Sequence, residues 1–164
     1  MIRIAHHTKE LSGEINLPSS KSISNRMLML QKLYEPDLEL QNISEANDTI
    51  ILKELLANDE PREIDVQDAG SVFRFMVAYC ACTPGEWIVR GSERLQRRPI
   101  AQLVDTLRLF GADIEYLETP DFAPLRIRGK QLRATTNLVD LSTSKSSQFV
   151  TALLLIAPKI EGQF

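Results

Sequence analysis

Pro18-Ser19-Ser20-Lys21-Ser22-Ile23-Ser24-Asn25-Arg26 sets four hydroxyls and two cations at the entrance to an apolar helical pattern. A helix start carries unpaired backbone N–H groups and a partial positive charge. Lys21 and Arg26 raise that positive potential, an arrangement suited to phosphate or carboxylate. Two further segments share the composition: Asp68-Ala69-Gly70-Ser71, followed by Arg74, and Ser142-Thr143-Ser144-Lys145-Ser146-Ser147-Gln148. Ser, Asp and Thr are also common N-caps that need no ligand. The cations favour an anion, because positive side chains oppose the macrodipole at that end. Arg74 is the only charged residue in an otherwise apolar stretch. It must reach solvent, pair with a carboxylate such as Asp68, or face a bound anion. Gly70 has two readings: a turn at positive φ, or a gap where a side chain would intrude on a ligand. Arg90–Arg98 holds four Arg against one Glu. A solvated loop explains that excess, but Pro99 as a first helical residue would set Arg98 at another helix start.

Other chemistries find little support. His6 and His7 lack Cys or carboxylate partners at metal-ligand spacing. The chain has no Gly-x-x-x-x-Gly-Lys-Ser/Thr, Gly-x-Gly-x-x-Gly or Gly-x-Ser-x-Gly motif. Its acidic groups are dispersed, with no evident acid/base couple. A net charge of −3 disfavours a general nucleic-acid binder. No apolar run is long enough to span a membrane. Met1–Leu11 lacks the apolar core of a signal peptide. Cys80 and Cys82, two apart on a helix, cannot bridge each other and suit a reducing cytosol.

The elements that must position these groups follow from periodicity. Helices are expected over Ser22–Tyr34 (apolar stripe Ile23, Met27, Leu30 and Leu33 or Tyr34), from a cap at Asn47 through Leu56, over Val72–Cys82, over Pro99–Phe110 with Gly111 at the exit, and over Lys145–Ala157 before Pro158. Val72–Cys82 is apolar almost all round and should be buried. Strands are expected over Ile2–Ala5, Glu14–Leu17, Leu38–Ile43, Glu63–Gln67, Trp87–Arg90, Asp113–Leu117, Leu125–Arg128 and Leu138–Leu141. Asp113–Leu117 and Leu125–Arg128 read as a hairpin with a long loop. The alternation is an α/β pattern with parallel crossovers and some antiparallel pairs. Ser20-Lys21-Ser22 and Ser144-Lys145-Ser146 open equivalent helices, a faint internal echo.

Four segments resemble signatures of the 3-phosphoshikimate 1-carboxyvinyltransferase (5-enolpyruvylshikimate-3-phosphate synthase) family, in that family's order. They are Pro18–Arg26, Asp68–Phe75, Arg97-Arg98-Pro99-Ile100 and Ser146-Ser147-Gln148-Phe149. Departures are Asp68 where Asn is usual, Ser71 for Thr, Phe75 for Pro, and Lys145 for an apolar residue. The resemblance implies an enolpyruvyl transferase fold of repeated βαβαββ units, an inside-out α/β barrel. It implies transfer of the enolpyruvyl group of phosphoenolpyruvate to the 5-hydroxyl of shikimate 3-phosphate, a step towards the aromatic amino acids, with no metal or organic cofactor.

By the same resemblance, Lys21, Ser22, Arg26, Ser146, Ser147 and Gln148 would bind shikimate 3-phosphate. Lys21, Gly70, Arg98 and Gln148 would bind phosphoenolpyruvate. Family members are much longer, with two domains. Residues 18–164 would then be a truncated first-half domain of about two βαβαββ units. Residues 1–17 would carry strands of the other domain and be loosely held here. The family's general acid/base carboxylate would lie in the missing C-terminal half, so the isolated chain is expected to be inactive. Alternatives are a non-catalytic sugar-phosphate-binding module, a domain whose cations are all ion-paired, and a UDP-N-acetylglucosamine enolpyruvyl transferase. The last commonly carries a Cys in a mobile loop and lacks the Lys-Ser-x-Ser-Asn-Arg pattern.

Overall fold

A computed structural model of the chain describes residues 5, 7, 10, 12–58, 60, 63–135 and 146–162. Helix α1 (Lys21–Tyr34) starts where Ser20 accepts a 3.4 Å bond from the Ile23 N–H. Helix α2 spans Asn47–Leu56, strand β1 Glu63–Asp65, helix α3 Gly70–Cys82 and strand β2 Gly85–Arg90. A single turn, α4 (Glu93–Gln96), leads to helix α5 (Ala101–Leu109), then strands β3 (Asp113–Tyr116) and β4 (Leu125–Gly129). Helix α6 (Ser147–Ile156) runs into a 3-10 turn over Ala157–Lys159 that contains Pro158.

The strands form one sheet in the order β1-β2-β4-β3. β1 and β2 are parallel and joined by α3, while β2–β4 and β3–β4 are antiparallel. Ile64, Trp87, Val89, Ile114, Leu125 and Ile127 are buried on the inner face. The outer face is an ion-pair lattice, with Arg126 between Glu86 and Glu115 and Arg128 beside Asp113. α3 is buried on nearly every side and packs against the sheet, α2, α5 and α6. Its all-round apolar sequence requires that position. Both cysteines sit in α3 and neither forms a disulfide, Cys80 being buried and Cys82 half-buried.

Several expectations are corrected. α1 does not bury the stripe through Ile23 and Leu30, which are 62% and 37% exposed. It buries Leu28, Met29 and Leu33 together with Ser24 and Asn25. The two polar residues are tolerated because their bonds are made: the Ser44 N–H donates to Ser24 (2.9 Å) and the Thr49 hydroxyl to Asn25 Oδ1 (2.7 Å). Asn47 is the first helical residue rather than the cap; Ala46 holds the cap position. Leu38–Ile43 forms no strand, because Asn42 turns the chain at φ 56° and accepts from the Ser19 hydroxyl at 2.6 Å. Glu14–Leu17 is irregular, with Ile15 and Leu17 more than four-fifths exposed and no described strand beside it. β1 stops at Asp65, whose carboxylate accepts from the N–H of Gln67, a residue at φ 52°. Pro99 precedes α5 by two positions, and Ile100 occupies its cap. The expected strands over Ile2–Ala5 (save Ala5) and Leu138–Leu141, and the helical start at Lys145, lie outside the described residues.

Candidate anion-binding site

Three helix N-termini meet at one cavity of about 120 Å³. α1 supplies Ser22, Asn25 and Arg26, α3 supplies Ser71 and Phe75, and α6 supplies Ser147, Gln148 and Thr151. Each helix directs its positive pole and unpaired N–H groups to that end. Ser20 caps α1, and Ser146 caps α6 by accepting from the Gln148 N–H at 3.3 Å. Capping and anion-site composition therefore coexist here. Ser146 stands just outside the lining, while Ser22, Arg26, Ser147 and Gln148 share it.

Arg74 lies behind this cavity and is only 8% exposed. Its Nη1 donates to the Gly70 carbonyl (2.6 Å) and to Gln148 Oε1 (3.2 Å). Its guanidinium carbon stands 4.9 Å from the centre of the Phe149 ring, a cation–π contact. Nε is buried with no hydrogen-bond partner among the described residues. Burial, then the neighbouring Arg98 charge, lowers the Arg74 pKa from its usual value. Of the alternatives open to Arg74, pairing with Asp68 is not made: that carboxylate accepts from the Ser92 hydroxyl at 2.5 Å. Among the described residues no carboxylate pairs with Arg74, Arg98 or Arg26. Two adjacent cations with no counter-charge among the described residues create a field that an anion would neutralise.

Gly70 is the first residue of α3 and is not at positive φ, so the turn reading is set aside. A Cβ there would lie 2.7 Å from Arg98 Nη1 and 3.2 Å from Arg74 Nη1. The glycine is the gap through which both guanidiniums reach the start of α3. Arg98 occupies the turn after α4, closed by its own N–H donating to Leu95 O at 2.8 Å, rather than the start of α5.

Lys21, like Gly70 and Arg98, is not among the lining residues of this cavity, and it approaches the wall through Asp48. Its Nζ is 3.0 Å from Asp48 Oδ2, with the side chains 47% and 24% exposed. The same oxygen accepts from the Ser71 hydroxyl at 3.5 Å, and Asn25 Nδ2 donates to Ser71 at 3.5 Å. Sequence reasoning missed Asp48, Asn25, Ser71, Phe75 and Thr151 as parts of this region. Asp48 gave no signal, since an acid in the first turn of α2 is an ordinary dipole partner. Asn25 and Ser71 could have been found, because both belong to the hydroxyl-and-cation segments. Two larger cavities, of about 350 and 280 Å³, lie elsewhere. The first is bordered by the ion pair of Arg97 with Glu93, and neither gathers the predicted residues.

Comparison with known proteins agrees with the sequence resemblance. The model of the family described as EPSP synthase (3-phosphoshikimate 1-carboxyvinyltransferase) matches residues 5–58 and 50–163. A 3-phosphoshikimate 1-carboxyvinyltransferase from Bacteroides fragilis (strain YCH46) is 42% identical over 154 residues, covering 93% of this chain and 37% of that relative. One from Vibrio cholerae serotype O1 (strain M66-2) is 36% identical over 178 residues, covering 93% and 41%. The solved EPSP synthase of Acinetobacter baumannii superposes with a TM-score of 0.78 at 19% identity, over 92% of this chain and 39% of that one. The chain thus spans about two-fifths of the length of these relatives and has part of their α/β fold. Among the described residues no helix is long and apolar enough to cross a membrane.

Proposed function

The chain belongs to the EPSP synthase (3-phosphoshikimate 1-carboxyvinyltransferase) family, and from that premise we propose that its cleft binds shikimate 3-phosphate and phosphoenolpyruvate. It does so as one part of an enolpyruvyl transferase. In this reading Arg26 and Ser22 take the carboxylate and hydroxyl side of shikimate 3-phosphate. Ser146 and Ser147 hold its phosphate at the start of α6. Gln148 lies between the two ligands. Gly70 leaves room at the phosphoenolpyruvate phosphate, which Arg98 and Lys21 grip. The shikimate 5-hydroxyl oxygen adds to C2 of phosphoenolpyruvate, giving up its proton to a base, as C3 gains a proton from an acid. The tetrahedral intermediate then loses phosphate and a C3 proton. This chain's contribution is positioning and electrostatic stabilisation of the charged groups. The acid/base group and further cations belong to a facing portion of the enzyme, so the chain alone binds without turning over. The working compartment is the cytosol, in keeping with two cysteines that form no disulfide.

The observation that carries the reading is the convergence of three helix starts beside a pair of guanidiniums without carboxylate partners among the described residues. Calorimetric titration of the chain with shikimate 3-phosphate tests it. Saturable heat at millimolar ligand or below, lost in Arg26→Ala, is expected; the absence of heat at that concentration would remove the reading.

A further inference from the structure

We infer that Arg74 is a positioning residue: it holds the side-chain amide of Gln148 so that the NH2 group, not the carbonyl, faces the cavity. A guanidinium has donors only. The Gln148 amide, 3.2 Å from Arg74 Nη1, must therefore turn its oxygen to Arg74. Its two N–H donors are left for the side shared with Ser22, Arg26 and Ser147. That side then presents hydroxyls, a guanidinium and an amide NH2, a donor set matched to phosphate oxygens. An amide free to flip would present its oxygen to the anion for part of the time, and the two would repel.

Arg74 is suited to the task because it cannot move readily. It is 8% exposed, anchored on the Gly70 carbonyl at 2.6 Å, and stacked on Phe149. Gln148 and Phe149 are consecutive in α6, so one side chain of α3 grips the first turn of α6 at two points.

The inference rests on the proposed phosphate-binding role of the cavity, and its test separates the two. The Gln148 side-chain NH2 signals of the 164-residue chain are identified by their loss in Gln148→Leu and followed by 15N–1H NMR without ligand. Dispersed signals are expected in the wild type and in Arg74→Lys, which remains donor-only. Signals at solvent-exposed glutamine positions are expected in Arg74→Met. Inorganic phosphate titrations then compare variants. Arg74→Met and Gln148→Leu should each weaken binding about tenfold, the loss expected for one charge-assisted hydrogen bond. The double variant should be no weaker than either single one. Gln148→Glu keeps a partner for Arg74 but has no donor. It should preserve the thermal midpoint and abolish phosphate binding, which carries the test if Arg74→Met does not fold. Unchanged Gln148 signals in Arg74→Met, additive losses, or phosphate binding retained by Gln148→Glu would each overturn the inference. Failure of the wild type to bind phosphate would instead remove the proposed function, with the NMR comparison still deciding the amide orientation.

Discussion

Arg98 Nη1 occupies space that a methyl group on Gly70 would need, at 2.7 Å from where that Cβ would stand. The obstructing atom is the tip of a flexible, half-buried side chain, so it can withdraw at small cost. Arg74, at 3.2 Å, is held by two hydrogen bonds and has less freedom. Gly70→Ala should therefore change stability by less than about 1 kcal/mol. It should weaken phosphate binding roughly tenfold through loss of one aligned cation. Thermal unfolding alongside phosphate titration reads both; a large drop in midpoint with unchanged affinity would contradict the assignment.

Asp48 restrains Lys21 while also bonding Ser71 at the cavity wall. The pair is too exposed to stabilise the fold by more than about 1 kcal/mol. Its main effect is to offset a positive charge beside the site. Asp48→Asn should tighten phosphate binding a few-fold at low salt, with the gain fading as ionic strength rises. Lys21→Met should do the opposite. Equal affinities in Asp48→Asn and wild type across the salt series would show that Lys21 takes no part.

Alkaline stability should report on Cys82. Burial pushes its thiol up to about 11 from a usual 9.0, a shift that the Thr83 hydrogen bond and the nearby Lys159 charge only partly offset. The native thiol keeps its proton at pH values where the unfolded thiol has lost it. The contribution is therefore complete below about pH 9 and disappears as pH rises through about 11. A decline of roughly 1–3 kcal/mol across that window is expected from denaturant unfolding. Cys82→Ala should reduce it, leaving the slopes due to Tyr116, raised chiefly by burial to about 12, and Tyr34, also raised chiefly by burial. An unchanged slope in Cys82→Ala would sink this prediction.

Gly129, at the end of β4, lies hard against the C-terminal end of α3. A Cβ there would lie 1.8 Å from the Thr83 carbonyl oxygen and 2.2 Å from that of Cys80. Both obstacles are backbone, so neither can swing aside. Gly129→Ala should cost several kcal/mol or prevent folding, unlike Gly70→Ala. Equal thermal midpoints for the two variants would refute the contrast.

Legibility in the sequence followed the reach of each signal. The all-round apolar run of α3 and the hairpin of β3 and β4 were readable because their patterns have one packing solution. Leu38–Ile43 alternates like a strand, but alternation does not reveal whether a neighbouring strand exists, and Asn42 bends the chain away. The stripe chosen for α1 followed hydrophobicity, whereas the buried face is completed by Ser24 and Asn25, whose partners on Ser44 and Thr49 lie 20 and 24 positions away. At the site, Ser22, Arg26, Ser147 and Gln148 were visible from composition and resemblance, and they share one cavity. Asp48 was invisible, because only the folded chain brings it beside Lys21.

The tie from the Tyr34 hydroxyl to the Leu155 carbonyl, 2.7 Å long, bridges residues 121 positions apart. With the Arg74–Gln148 bond it fastens the last helix to the first and third. Closing so long a span forfeits chain entropy before any contact rewards it. Docking of α6 is thus expected to come late in folding, and a guest seated between α1 and α6 would act as a clasp, shielding that helix from proteases.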